Sequence, residues 1–222
     1  FSSPTVAGPT VSGLTVAGAY TFALVVTDNA GTSSAADQIV LTVNPAPPTG
    51  GGQALYRINA GGPALATSLG AFAADQYFAP APGFTYTTTN AITGTADPAL
   101  YQSERSAETN QGTFAYALPV PNGTYTVRLH FAEIYWNGPG KRLFDVTLEG
   151  TKVLDNYDVF VRAGGAFKAV VESFPATVSN GVLNIDFSAL PADGGVDRPK
   201  IAAIEVISTT APPAGNQVPV AN

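Results

Sequence analysis

Cysteine and methionine are absent from the 222 residues, and histidine and tryptophan occur once each. Without cysteine there is no disulfide, no thiol nucleophile and no thiolate metal ligand. A single histidine, His130, with no cysteine beside it does not make a zinc site of ordinary composition. Charge is scarce as well: Asp, Glu, Lys and Arg together are 12% of the chain, with a net charge of −6. The basic residues form no cluster longer than Lys141-Arg142, so no stripe exists to track a phosphate backbone and no nucleic-acid partner is expected. No apolar run has membrane-spanning length and no signal peptide opens the chain, so no membrane span is expected. A chain that starts at Phe1 and has no methionine reads as a piece of a longer one, cut at both ends.

Apolar residues make up 45% of the sequence, enough for a packed core, and they are broken up by 23 Gly and 18 Pro. Short segments rich in Val, Ile, Thr, Tyr and Phe between such breaks read as strands, not helices. In "AYTFALVVT" the residues Tyr20, Phe22, Leu24 and Val26 alternate with Thr21, Ala23, Val25 and Thr27. Asp28-Asn29-Ala30-Gly31 supplies a turn, and Ile39, Leu41 and Val43 mark the next strand. Residues 45–53, "PAPPTGGGQ", read as a linker, as does the C-terminal "TTAPPAGNQVPVAN".

Residues 54–208 form the main predicted domain. "TFAYALPVPNGTYTVRLHFAE" reads as two strands joined by a hairpin-like turn at Pro121-Asn122-Gly123. In the second of them Tyr125, Val127, Leu129 and Phe131 share one face, and Thr126, Arg128 and His130 the other. Phe144, Val146 and Leu148 alternate further on, as do Leu183, Ile185 and Phe187. Many short strands at this spacing predict an all-β fold, a β-sandwich or jelly roll. One stretch breaks the pattern. In "RLHFAEIYWNGPGKRLFDV" the large aromatics Tyr135 and Trp136 sit in the turn and not in the strands.

Two resemblances organise these observations. "GLTVAGAYTFALVVTDNAGTSSAADQIVLTV" resembles the C-terminal half of a polycystic-kidney-disease (PKD) repeat, an immunoglobulin-like sandwich, over residues 1–44. The end of the 209–222 segment resembles the opening of another such repeat. The segments "ALYRINAGG", "LYQSER", "YTVRLHFAEIYW", "GKRLFDVTLEG", "DNYDVF" and "RPKIAAIEVI", in that order, resemble malectin and the malectin-like carbohydrate-binding modules. That family implies a jelly-roll β-sandwich that binds glucose-containing oligosaccharides through loops at one end, without catalysis.

The resemblance also gives the aromatic turn a role. A sugar ring presents a C–H face to an aromatic ring and hydroxyls to carboxylates or amides. Tyr135 and Trp136 fall where the family has two consecutive stacking aromatics, although loop aromatics also cap sandwich ends. Asp197, in "GGVDRPKI", matches the family aspartate that binds sugar hydroxyls; a plain turn before Pro199 is the alternative. The residue after it is Arg198, where malectin has Asn. Malectin's stacking Tyr after "YQ[ST]ER" is replaced by Ser106, which removes one wall of the pocket. A further family Tyr corresponds to Phe84 or Tyr86, with Tyr77 less well placed. Glu133 either faces the sugar or braces the loop. Glu104 and Arg105 read as structural.

No cofactor is indicated. Asp155, Asn156 and Asp158 form an oxygen-rich cluster of the kind that can hold calcium, but a turn with solvated carboxylates is the simpler reading. Catalysis is not expected: no spacing singles out a carboxylate pair such as Glu133 with Asp197, and His130 lies in mid-strand, away from any triad. The expected partner is an oligosaccharide or polysaccharide, bound by one module of a secreted or cell-surface bacterial protein. The alternative is a structural repeat of an extracellular adhesin or fibre, with chain-to-chain contacts through open PKD edge strands.

Overall fold

A computed structural model describes residues 18–43 and 52–209. The chain divides into two units, Phe1–Pro47 and Pro48–Asn222. The expected linker core and the "NQVPVAN" segment lie outside the described residues.

In the first unit, β1 (Gly18–Leu24) and β2 (Asp37–Val43) pair antiparallel, with Tyr20 opposite Leu41 and Phe22 opposite Ile39. The connecting turn is closed by Asp28, whose Oδ1 accepts the N–H groups of Ala30 and Thr32.

The second unit is a β-sandwich. Its strands are β3 (Ala54–Asn59), β4 (Leu65–Thr67), β5 (Gly70–Ala74), β6 (Phe78–Ala79), β7 (Phe84–Thr87), β8 (Ser103–Ser106) and β9 (Thr113–Pro119). They continue with β10 (Gly123–Phe131), β11 (Phe144–Leu148), β12 (Thr151–Tyr157), β13 (Val170–Val178), β14 (Val182–Ser188), β15 (Lys200–Ile201) and β16 (Ala203–Ser208). One short helix, α1 (Val159–Ala163), follows β12. One sheet runs β13-β10-β16-β3-β5-β4, the facing one β12-β11-β14-β9-β6, and a small third one β15-β8-β7.

The core lies between the two large sheets. Val127, Leu129 and Phe131 of β10 pack with Phe144, Val146 and Leu148 of β11 and with Leu183, Ile185 and Phe187 of β14 in one buried cluster. These are the alternating apolar positions read from the sequence, and burying each contributes about 1.5–3 kcal/mol.

One expectation is corrected. Strands β9 and β10 do not form a hairpin: β9 pairs with β14 and β6, whereas β10 pairs with β13 and β16. The turn at Pro121-Asn122-Gly123 is an arch between sheets. Period-2 alternation is the same for a hairpin and an arch, and here the apolar faces of β9 and β10 meet across the core instead of lying side by side. The arch is held by Asn122, whose Oδ1 accepts the Gly181 N–H. The other face of β10 is also covered. A second buried cluster of Phe72, Ile92, Leu100, Tyr101 and Ile134 packs behind the six-stranded sheet. His130 is wholly buried there, between the Tyr101 hydroxyl at 2.8 Å and Glu205 at 3.0 Å. Arg57 and Arg128 complete the charge pairing of Glu205.

Candidate functional site

The loop between β10 and β11, residues 132–143, crosses from one large sheet to the other and carries Tyr135 and Trp136. Its shape is set from below by Glu133, 1% exposed, whose Oε1 accepts the backbone N–H groups of Tyr135 (2.9 Å) and Trp136 (3.0 Å). Its Oε2 accepts Arg142 Nε at 2.8 Å. Arg142 also donates to the carbonyl of Arg198 at 2.6 Å and pairs with Asp197 at 3.1 Å. Beneath them Lys200, wholly buried, donates to the Ala132 carbonyl and is ion-paired with Glu104. Three acids and three bases, counting Arg198, thus balance at one end of the sandwich.

Asp197 is presented by a second loop. Its backbone is left-handed (φ 62°), a region that Asp tolerates better than most residues. The preceding residue, Val196, exchanges two backbone hydrogen bonds with Leu143 (2.9 and 3.0 Å), tying this loop to the base of the aromatic one. The indole Nε1–H of Trp136 then donates to Asp197 Oδ2 at 2.7 Å.

Above this network opens a cleft of about 330 Å³ lined by Phe84, Tyr86, Tyr135, Trp136, Asp197 and Ser106, with Glu104, Asn110, Arg142 and Arg198. Tyr86, Tyr135 and Trp136 meet edge to face, at centroid distances of 5.4 and 4.8 Å. In a T-shaped contact one ring meets the face of the other with its edge and keeps its own faces free. Tyr135 is 57% exposed, while Trp136 is half-buried, its N–H committed to Asp197. Phe84 is the cross-strand partner of Ser106 and lies under the Arg198 guanidinium at 4.2 Å.

Five of the six residues singled out from the sequence therefore share one cleft. Glu133 does not: it lies under the loop as its brace, and both of its oxygens are bonded inside the protein. Tyr77 also lies elsewhere, edge-on to Tyr56. Arg105 is structural, clamped to Asp75 and over the Phe78 ring. Glu104 serves both purposes: its carboxylate holds Lys200, and it lines the cleft. Asp155 pairs with Lys152, and Asp158 caps α1 through Val161 N–H while also accepting from Gly140. Sequence reasoning missed Asn110 and Arg142. Neither stands in a pattern that marks it; the one local sign of Arg142 was its place in the only basic pair.

Burial by itself would raise the pKa of Glu133, but Lys200 and Arg142, with the Trp136 N–H, more than offset it and hold the group at about 2, against an ordinary 4.5. A carboxylate whose folded pKa is depressed contributes stability above its unfolded pKa, and that contribution is lost as pH falls through the folded value. The shift corresponds to about 3 kcal/mol. Urea unfolding of the wild type and of Glu133→Gln is expected to show this pH-dependent loss only in the wild type. The window runs from about pH 5 down to about pH 2.

The family comparison bears on this geometry directly. The sequence model of the Malectin domain matches residues 54–204, well over half of the chain. The chain belongs to the malectin-domain family. Human malectin is 32% identical over 124 residues, covering 51% of this chain and 41% of that protein. Malectin-B of Xenopus laevis is 30% identical over 125 residues, covering 52% and 44%. A probable leucine-rich repeat receptor-like serine/threonine-protein kinase of Arabidopsis thaliana is 37% identical over 110 residues, covering 44% and 11%. The chain thus spans less than half the length of each of these relatives. Among solved structures, the ANXUR2 extracellular domain from Arabidopsis thaliana superposes with a TM-score of 0.62 at 19% identity, over 70% of this chain and 48% of that one. At that identity the likeness is one of fold. Among the described residues of this malectin domain and its N-terminal neighbour, no helix is long and apolar enough to cross a membrane.

Proposed function

We propose that residues 54–208 form a non-catalytic saccharide-binding module whose site is the cleft between the 132–143 and 194–198 loops. The observation that carries this reading is convergence. Phe84 and Tyr86, Tyr135 and Trp136, and Asp197 come from three distant stretches of chain and line one opening of about 330 Å³. The opening is of ligand size. Its walls are aromatic faces suited to the C–H face of a sugar ring. Asp197 is pre-oriented by Trp136 and Arg142 through Oδ2 alone, leaving Oδ1 to accept a sugar hydroxyl. Glucose-containing oligosaccharides are the first ligand class to consider, with Ser106 in place of the family tyrosine altering the specificity.

The parent chain is read as a secreted or cell-surface protein of strung modules, in which β1 and β2 belong to a PKD-like repeat. The relatives named above come from plants and animals, and they lend no support to the bacterial origin expected from the sequence. A second reading, a structural repeat of an extracellular adhesin or fibre, draws on β1 and β2. Leu24 and Ile39 expose 59% and 68% of their surface, the kind of apolar strand face that another chain can cover.

Trp136 is the only tryptophan, so its fluorescence reports on the cleft. Titration with maltose, nigerose and cellobiose is expected to give a saturable change with at least one of them. Asp197→Ala, which keeps the reporter, is expected to weaken binding about tenfold or more, since charge-assisted hydrogen bonds contribute about 1.5–3 kcal/mol. A folded protein that responds to none of the three, by fluorescence or calorimetry, would favour the structural reading.

A further inference from the structure

We infer that the Arg198 side of the cleft is a subsite for an anionic group carried by the saccharide, a ring carboxylate or a sulfate ester. This rests on the reading of the cleft as a saccharide site and adds what that reading does not contain, the charge of the ligand.

Two observations carry it. The first is the charge pairing. Lys200 pairs with Glu104, and Arg142 pairs with Glu133 and Asp197. Each of these three carboxylates is thereby in direct contact with a cation built into the fold. Arg198, which lines the same cleft, has no carboxylate partner among the described residues. Its guanidinium carbon lies over the Phe84 ring, 4.2 Å from the centroid, and the group donates to Asn110 Oδ1 at 3.1 Å and more distantly to the Ala107 carbonyl at 3.4 Å. These neutral contacts fix its position and leave its guanidinium without a direct ion pair.

The second observation is the Ser106 hydroxyl. Ser106 is 1% exposed, it lines the cleft, and its Oγ is one of the few buried side-chain oxygens without a hydrogen-bond partner. A buried hydroxyl without a partner is costly to leave unmet, so a ligand atom is the natural partner for it. Phe84 joins the two groups, being the strand partner of Ser106 and the platform under Arg198. A hydroxyl donor and a guanidinium without an ion pair lining one cleft suit an oxyanion. A neutral sugar hydroxyl would answer Ser106 but would leave the guanidinium without a direct ion pair.

The test is a titration of the intact protein, followed by calorimetry and by Trp136 fluorescence at low salt. The probes are a neutral disaccharide, its hexuronic-acid counterpart and its sulfated counterpart. At least one acidic form is expected to bind about tenfold more tightly than the neutral one, and the advantage should shrink as salt screens the charge. Which acidic form wins distinguishes carboxylate from sulfate. Arg198→Asn is expected to erase the acidic-to-neutral ratio, and Arg198→Lys to keep part of it. Ser106→Ala should reduce the affinity for the acidic form severalfold, with unchanged melting temperatures showing that the variants fold. Equal affinity for neutral and acidic forms, or a ratio that survives Arg198→Asn, would overturn the inference while leaving saccharide binding intact. Binding of none of the three would overturn both.

Discussion

Lys200→Ala is expected to destabilise the domain by about 3–5 kcal/mol in urea unfolding at neutral pH, the range for breaking a buried ion pair from one side. Lys200 has no exposed surface, yet it carries a charge. Its ammonium holds the Glu104 carboxylate and the Ala132 carbonyl, and it lies 4.0 Å from Glu133. Removing it leaves Glu104 buried with no ion-pair partner and loosens the residue where the aromatic loop leaves β10. Lys200→Met, which keeps the volume but not the charge, should lose nearly as much. Glu104→Leu combined with Lys200→Met should recover most of the loss, because replacing both partners by apolar groups leaves no orphaned charge. Asp155→Ala, at an ion pair with Lys152 that is exposed on both sides, should change stability little. A loss below about 1 kcal/mol for Lys200→Ala would mean that the network does not hold this end of the sandwich.

Gly61→Ala is the second large effect. Gly61 is left-handed (φ 68°), which alone costs a residue with a Cβ about 1–2 kcal/mol. A Cβ there would also fall on the backbone carbonyl of Glu104, well inside van der Waals contact, and a backbone group cannot swing aside. Strand β8 carries both Glu104 and Ser106, so the displacement reaches the cleft. The expected result is a loss of more than about 2 kcal/mol in urea unfolding together with weaker saccharide binding. Gly150→Ala is the control: its φ is 76° but nothing lies within 4 Å of the added Cβ, so it should show the backbone cost alone and leave binding untouched. Equal losses for the two variants would show that the close approach to β8 is unimportant.

Much of the site was legible before the fold. An aromatic pair beside Asn137-Gly138-Pro139-Gly140 stands out because strands of this kind keep their large aromatics on the buried face. Phe84, Tyr86 and Asp197 came from resemblance, residue by residue, and line the same cleft. Glu133 was an even choice because adjacency to a binding loop does not say on which side of the loop a side chain lies. Its burial, and the two N–H groups it holds, make it the brace. Arg142 and Lys200 were not seen as partners of the site, since ion pairs across 9 and 96 residues leave no local pattern.

The sequence by itself determined the all-β class, the positions of the core strands and the family, because alternation, turn chemistry and motif order are properties of short neighbouring segments. The tertiary structure decided which strands pair, turning the presumed hairpin at Pro121-Asn122-Gly123 into an arch between sheets. It also decided which charges are matched. Glu104, Glu133 and Asp197 meet Lys200 and Arg142, while Arg198 rests on Phe84 beside the unpartnered Ser106 hydroxyl. Pairing of charges depends on distance and burial, and both exist only once the sheets have closed on each other.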